Sequence, residues 1–131
     1  MSFAARKWKV YYYSESENEE SEIETFINSK DNRNQTKILA WIEKLEELLG
    51  PNLPRPYADI LKDGIHELRI KLSGDQVRIL YFFCYKDYVI LTNHFIKRSA
   101  KVPKSEIDKA VKRKEKFLKK YPEKAIEKLL L

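Results

Sequence analysis

The sequence is poor in the residues that build small catalytic and metal-binding motifs. Its 131 residues include one cysteine, three glycines and two histidines. A single cysteine, Cys84, cannot form an intramolecular disulfide, so we expect a reducing, cytoplasmic setting. Three glycines leave no Gly-x-x-x-x-Gly-Lys loop for a nucleotide phosphate, and His66 and His94 form no metal-binding pair. We therefore expect neither a metal ion nor another cofactor.

Long apolar stretches are also missing. The longest, residues 79–85, has seven residues, whereas a helix that spans a bilayer needs about 20, so we expect no membrane partner. A hydrophobic fraction of 43% is still enough for a folded core, and the length fits one domain, residues 1–131. Residues 121–131 would form a C-terminal extension of it. The tail, with Ile126, Leu129 and Leu130 at helical spacing, either packs back on the sheet or docks onto a partner.

Positive charge is concentrated in the second half of the chain. Residues 1–56 carry 8 Lys and Arg against 10 Asp and Glu, and residues 57–131 carry 18 against 10. Residues 97–120 alone hold 11 basic and 3 acidic side chains. A basic region of this kind is typical of proteins that bind a polyanion, with RNA or DNA ahead of a membrane surface. A solvated, lysine-rich helix without a partner is the other interpretation.

The first half predicts one strand and two helices. Trp8 to Tyr13 is aromatic and β-branched, as in strands, and the glutamates of residues 15–24 lead into a short helix. Apolar spacing predicts a core helix over residues 33–49 that ends at Gly50 and Pro51, and its stripe consists of Ile38, Trp41, Ile42, Leu45, Leu48 and Leu49. Residues 52–57 form a stiff, proline-rich connector.

From Gly64 onward the period becomes two and predicts a three-stranded meander. Residues 68–72 alternate between apolar and charged, residues 77–85 are apolar on both faces apart from Arg78, and residues 88–95 form the last strand. A basic helix follows from about Lys104 to Lys120, with its inward side chains at Ile107, Ala110, Val111, Leu118 and Tyr121.

The meander also carries the cations with the clearest chemical interest. Arg69 and Lys71 project from one strand face, and Arg78 interrupts the central strand. An arginine buried without a partner costs several kcal/mol, so Arg78 needs a counter-charge or an open surface. Either Glu67 pairs with it in a salt bridge, or this face of the sheet binds phosphate.

Four segments together resemble a known family. Residues 61–72 (LKDGIHELRIKL), 77–83 (VRILYFF), 94–98 (HFIKR) and 101–110 (KVPKSEIDKA) resemble, in order and spacing, motifs of the HigB-like branch of the RelE/ParE toxin superfamily, which includes phage-derived toxins. The resemblance implies an α+β fold in which N-terminal helices pack on one face of a small, twisted antiparallel sheet. A C-terminal basic helix follows, and the other face is concave and basic. Val102 replaces the usual threonine of the family, so we expect no side-chain cap on that helix.

The same resemblance implies the toxin of a type II toxin–antitoxin system. Such a toxin is a metal-independent endoribonuclease that cleaves mRNA, usually on the ribosome, inhibits translation, and is neutralised by a cognate helix-turn-helix antitoxin. A ribose 2′-OH attacks the adjacent phosphorus and yields a 2′,3′-cyclic phosphate. Two alternatives remain open: a gyrase-directed, ParE-like toxin that cuts no RNA, and a non-enzymatic, phage-derived nucleic-acid-binding module.

Candidate residues follow from this chemistry. Arg98 falls where the superfamily ribonucleases carry a catalytic arginine, so the resemblance assigns it to stabilising the phosphorane. Arg69 and Arg78 are candidates for clamping phosphates, because a guanidinium can hold two phosphate oxygens. His94 has the side chain suited to proton transfer near neutral pH. The RNA backbone would be held by Lys71, Lys97 and Lys101.

Overall fold

The computed structural model describes residues 8–47, residue 53 and residues 57–129, the side chains of residues 127–129 excepted. Within these ranges the chain forms one sheet and flanking helices, the α+β arrangement that was expected. The elements in chain order are β1 (Lys9–Tyr12), α1 (Glu22–Asn28), α2 (Asn32–Glu46), β2 (Ala58–Ile60), β3 (His66–Leu72), β4 (Asp75–Cys84), β5 (Tyr88–Ile96), α3 (Lys104–Lys120) and α4 (Glu123–Leu129).

The sheet has the strand order β1-β5-β4-β3-β2 and is mixed. β2 to β5 pair antiparallel, as the predicted meander requires, with β4 central. β1, however, pairs parallel with β5, so the expectation of a purely antiparallel sheet was wrong at this edge. Strands joined by a hairpin must run in opposite directions, whereas β1 reaches β5 only through the rest of the chain, and its direction is therefore free.

Both faces of the sheet carry helices. α1 and α2 pack on one face, against side chains such as Leu68, Ile70 and Ile79, which confirms the expected placement of the N-terminal helices. α3 and α4 pack on the other face, where Phe82 and Phe117 belong to a second buried cluster. α3 contacts β4 and β5, so the part of this face formed by β3 and the start of β4 is left for the polar side chains described below.

The N-terminal helices begin with side-chain caps. The Ser21 hydroxyl accepts the N–H of Glu24, and the Asp31 carboxylate accepts the N–H of Asn34. The acidic stretch therefore ends in a helix start, as predicted. α2 ends at Glu46, because the backbone of Glu47 is already extended, so the prediction that this helix continues to Leu49 was wrong. The Gly50-Pro51 stop and most of the 52–57 connector lie outside the described residues.

α3 spans the predicted residues and lacks a side-chain cap, because Pro103 occupies the cap position. Its buried side chains are Ala110 and Phe117, seven residues apart and hence on one face of the helix. The prediction that Leu118 faces inward was wrong, since it is 36% exposed. Ile126 of α4 is fully buried in the same cluster, so at this residue the tail packs back on the sheet. The predicted contacts of Leu129 and Leu130 lie outside the described side chains.

Candidate nucleic-acid interface

The predicted phosphate-binding cations of the meander share one face of the sheet. Leu68 and Ile70 point to the α2 side, so their neighbours Arg69 and Lys71 project from the opposite face. Arg69 lies directly across from Arg78 in the antiparallel register. Two arginines opposite each other repel, so this pair needs an anion close by.

Glu67 is that anion. It is 1% exposed, and its carboxylate accepts a hydrogen bond of 2.9 Å from Arg69 Nε and lies 3.8 Å from Arg78 Nε. Asp59, 3.5 Å from the end of the Arg69 side chain, adds a second carboxylate. Burial lowers the pKa of Arg78, which the charge of Glu67 partly opposes. The predicted salt bridge between Glu67 and Arg78 is therefore present.

The Glu67–Arg78 contact is an ion pair without a hydrogen bond. Glu67 Oε2 and Arg78 Nε are both buried and have no hydrogen-bond partner among the described residues, although Arg78 Nη1 donates to the carbonyl of Val77 at 3.2 Å. An arginine has five N–H donors, and the Arg78 guanidinium makes one hydrogen bond within the described part of the chain, to the carbonyl of Val77. A salt bridge and an anion site are thus compatible at this position.

These cations line a groove of about 430 Å³. Of the described residues that line it, four are cationic and none is acidic. They are Lys37 and Trp41 of α2, Tyr57 before β2, Arg69 and Lys71 of β3, and Gln76 and Arg78 of β4. A groove of about 490 Å³ on the outer face of α3 is different, since three acids and two lysines line it. The β3–β4 groove is therefore the better fit to a polyanion.

Lys97 lies at the edge of this surface, and Arg98 and Lys101 follow it. The N–H of Lys97 donates to the carbonyl of Gln76, one residue beyond the β4–β5 ladder. Arg98 and Lys101 lie in the exposed segment between β5 and α3, where the Ser99 hydroxyl donates to the carbonyl of Lys101. No hydrogen bond or ion pair with another described residue holds the Arg98 guanidinium.

His94 lies on the opposite face of the sheet. Its ring stacks on Phe26 of α1 with centroids 4.1 Å apart, and its Nδ1 lies 2.8 Å from Glu22 Oε2. The same carboxylate oxygen accepts the backbone N–H of His94 at 2.8 Å. The structure therefore brings Arg69, Lys71 and Arg78 together and places His94 apart from them.

Glu22 and Arg113 join α1, β5 and α3, and the sequence patterns did not single out either residue. Arg113 Nη1 donates to Glu22 Oε1 at 3.0 Å and to the carbonyl of Thr92 at 2.7 Å. Burial opposes ionisation of Glu22, but hydrogen bonds from His94 and Arg113 prevail and lower its pKa to about 2. Glu22 lies beyond the last residue of β1 that pairs with β5, so it supplies an acceptor to the open edge of β5.

The acidic stretch also neutralises part of α3. Glu15 lies 3.2 Å from Arg113 Nε and 3.6 Å from Lys116 Nζ, and Glu22 lies 4.0 Å from Lys109 Nζ. Some basic side chains of α3 therefore have intramolecular partners. No local pattern reveals these pairs, because the partners are more than 80 residues apart in sequence.

Other chemistry has little support in the described part of the chain. No group of three or more His, Cys, Asp or Glu side chains there is arranged to hold a metal ion. Burial raises the pKa of the Cys84 thiol to about 12, which makes it a poor nucleophile at neutral pH. Within the same ranges, no helix has the length and apolar character needed to cross a bilayer.

A family model described as "Phage derived protein Gp49-like (DUF891)" matches residues 25–115, more than half of the chain. The chain belongs to this family. The family is associated with toxins of toxin–antitoxin systems in the RelE/ParE superfamily. The matched range contains α2, the whole groove and the segment after β5, and it leaves out Glu15, Glu22 and α4. A comparison with curated proteins found no match.

Proposed function

We propose that this family member is a HigB-like toxin that inhibits translation by cleaving mRNA on the ribosome without a metal ion. The family supports a toxin with an antitoxin partner. The observation that carries the nuclease proposal is the β3–β4 groove of about 430 Å³, in which the lining residues that the structure describes include four cations and no acid. A strip of RNA backbone is the ligand that such a surface attracts most strongly.

The proposed reaction needs a base, an acid and positive charge. The 2′-oxygen of a ribose forms a bond to the adjacent phosphorus, while the bond from that phosphorus to the next 5′-oxygen breaks. The proton of the 2′-OH passes to a base, the 5′-oxygen receives a proton, and a 2′,3′-cyclic phosphate remains. Negative charge increases in the phosphorane, so guanidinium groups held in place beforehand stabilise the transition state more than the substrate.

The proposed roles follow the positions of the cations. Arg69 and Arg78 clamp the phosphate, because the carboxylate of Glu67 lies between them, hydrogen-bonded to Arg69 Nε and 3.8 Å from Arg78 Nε. Phosphate oxygens would meet the terminal nitrogens other than Arg69 Nη2, which faces Asp59, and Arg78 Nη1, which donates to Val77. Lys71 and Lys97 contact the flanking backbone. The guanidinium of Arg98 is exposed and pairs with none of the described residues, which suits the stabilisation of the phosphorane once RNA is bound. Lys101 extends this surface along the chain.

The proton carrier predicted from the sequence lies apart from the cations. The predicted carrier, His94, faces α1 and is held by Glu22, so in this arrangement it does not share a sheet face with Arg78. We therefore propose that the cations supply most of the rate enhancement. Replacement of His94 by glutamine tests its role, because the variant keeps a polar side chain but cannot transfer a proton near neutral pH. A loss of cleavage comparable to that of the Arg98 variant described below would assign the proton transfer to His94.

The partners of the proposed toxin are mRNA, the ribosome and a cognate helix-turn-helix antitoxin. Induction of the chain in bacteria should arrest growth, and coexpression of a small helix-turn-helix protein encoded next to it should restore growth. Sequencing of RNA 5′ ends after induction should reveal new ends within coding regions. Induction of an SOS response without new RNA ends would contradict the nuclease proposal and favour a gyrase-directed toxin.

A matched pair of lysine variants tests the groove itself. Lys71 lines it, whereas Lys62 is exposed on the turn between β2 and β3 and does not. Lys71→Ala should weaken binding of single-stranded RNA and reduce the slope of log K against log salt by about 0.7, since one phosphate contact is lost. Lys62→Ala should change neither quantity. Equal effects of the two variants on RNA affinity would show that binding depends on the net charge of the protein and not on the groove.

A further inference from the structure

One aromatic ring in the groove lies next to the cations and has no role in the proposed cleavage. Tyr57 is 44% exposed and precedes β2, and its carbonyl accepts the N–H of Arg69 at 2.8 Å. The backbone of Tyr57 is thereby tied to the strand that carries the Arg69 guanidinium. The ring lines the same groove as Arg69, Lys71 and Arg78.

Trp41 supports this ring from the protein side. The two ring centroids are 5.0 Å apart with planes inclined by 34°, and Lys44 Nζ lies 5.6 Å from the Trp41 ring. Trp41 is itself partly buried against the core of α2 and the sheet. Trp41 therefore packs against one side of the Tyr57 ring, while 44% of Tyr57 is exposed to solvent.

We propose that Tyr57 is the stacking platform for an unpaired RNA base next to the phosphate bound by Arg69 and Arg78. This inference rests on the proposed ribonuclease function and adds a base-binding subsite to it. Aromatic rings bind single-stranded nucleic acids by stacking on bases, beside cations that track the backbone. The groove, at about 430 Å³, lies within the range of roughly 300–1,000 Å³ that is common for ligand sites.

Stacking on Tyr57 should give the subsite little preference for one base over another. Every base has a π-face, so the stacking energy depends weakly on sequence. Of the side chains that line the groove, Gln76 can both donate and accept hydrogen bonds, and Lys37 can donate them. Any base preference of the subsite would therefore come from hydrogen bonds to polar groups such as the amide of Gln76 and the ammonium group of Lys37, and not from stacking on the Tyr57 ring.

The test is binding of 2′-O-methyl RNA hexamers, which cannot be cleaved because the 2′-oxygen is blocked. One hexamer carries all bases, and six others each lack a single base. Wild-type protein is compared with Tyr57→Ala and with Tyr57→Phe, which keeps the ring. Ile60→Ala serves as a matched control, because Ile60 is 60% exposed on β2 but does not line the groove. Thermal unfolding of each variant verifies folding.

Stacking on Tyr57 predicts a specific pattern. Tyr57→Ala should weaken binding of the complete hexamer by about 5- to 150-fold, whereas Tyr57→Phe and Ile60→Ala should bind like the wild type. The wild-type protein should bind one of the abasic hexamers more weakly than the complete hexamer, by a similar factor. The Tyr57→Ala variant should bind that abasic hexamer and the complete hexamer with equal affinity.

Two results would overturn the inference. If Lys71→Ala weakens binding but Tyr57→Ala does not, the RNA passes through the groove without stacking, and the proposed function stands. If Tyr57→Ala leaves RNA binding intact but abolishes neutralisation by the antitoxin, the ring belongs to a protein interface. If the proposed function itself is wrong, the result is different: the wild-type protein binds no hexamer and generates no new RNA ends.

Discussion

Protonation of Glu22 should destabilise the fold in acid. The pKa of this carboxyl is lowered from 4.5 to about 2 by hydrogen bonds from His94 and Arg113 that outweigh burial. Because the folded-state pKa lies below that of the unfolded chain, the resulting stability is present above pH 4.5 and is lost as the pH falls towards about 2. The replacement Glu22→Gln removes this dependence, since an amide does not titrate.

The size of the effect follows from the shift. Each pKa unit corresponds to about 1.4 kcal/mol, so a shift from 4.5 to about 2 amounts to about 3 kcal/mol. Solvent screens part of this interaction because 24% of the Glu22 side chain is exposed, and we expect about 1.5–2 kcal/mol. For a chain of this length the variant should therefore unfold about 5–10 °C below the wild type at neutral pH.

Urea unfolding at several values between about pH 7 and about pH 2.5 measures the effect, because the linkage predicts that the two proteins converge in acid. Glu24→Gln is the control: Glu24 belongs to the same helix but is exposed. The free energy of unfolding of Glu24→Gln should match that of the wild type at every pH. If Glu22→Gln stays equally destabilised at the lowest pH, the loss comes from packing of the amide and not from the lost charge, and the reasoning is refuted.

Three further predictions concern the rest of the molecule. Arg98→Ala should lower the cleavage rate about 10²–10³-fold and change the free energy of unfolding by less than about 0.5 kcal/mol. Arg98→Lys should retain only part of the activity. A fully toxic Arg98→Ala variant would contradict the proposed role of Arg98. Gly64→Ala should lower the free energy of unfolding in urea by about 1–2 kcal/mol, because Gly64 has a φ of +78°. An unchanged free energy of unfolding would show that the turn adopts another backbone conformation. Ile126→Ala should lower the free energy of unfolding by about 2–4 kcal/mol, because Ile126 is fully buried. A decrease below about 0.5 kcal/mol, the size of an ordinary surface substitution, would mean that α4 adds little to the core.

Local patterns in the sequence predicted much of the sheet and its helices. The period of two placed Arg69 and Lys71 on one strand face, and β4 is the central strand that its apolar run indicated. α3 has the predicted bounds and lacks a side-chain cap. The apolar stripe of α3 predicts Leu118 on the inward side, whereas Phe117 packs there, because the few apolar residues of a lysine-rich helix are compatible with more than one buried face.

The sequence by itself determined what depends on neighbouring residues: which side chains share a strand face, where the capped helices begin, and that positive charge gathers in the second half. Tertiary structure alone decided that β1 lies parallel to β5, that Tyr57 joins the cationic groove, and that Glu22 binds His94 and Arg113. The physical reason is the range of each interaction. Periodicity and caps act over a few residues, whereas Glu22 meets residues that are 72 and 91 positions away, and only the packing of α1 and α3 against the edge of β5 brings them within hydrogen-bond distance.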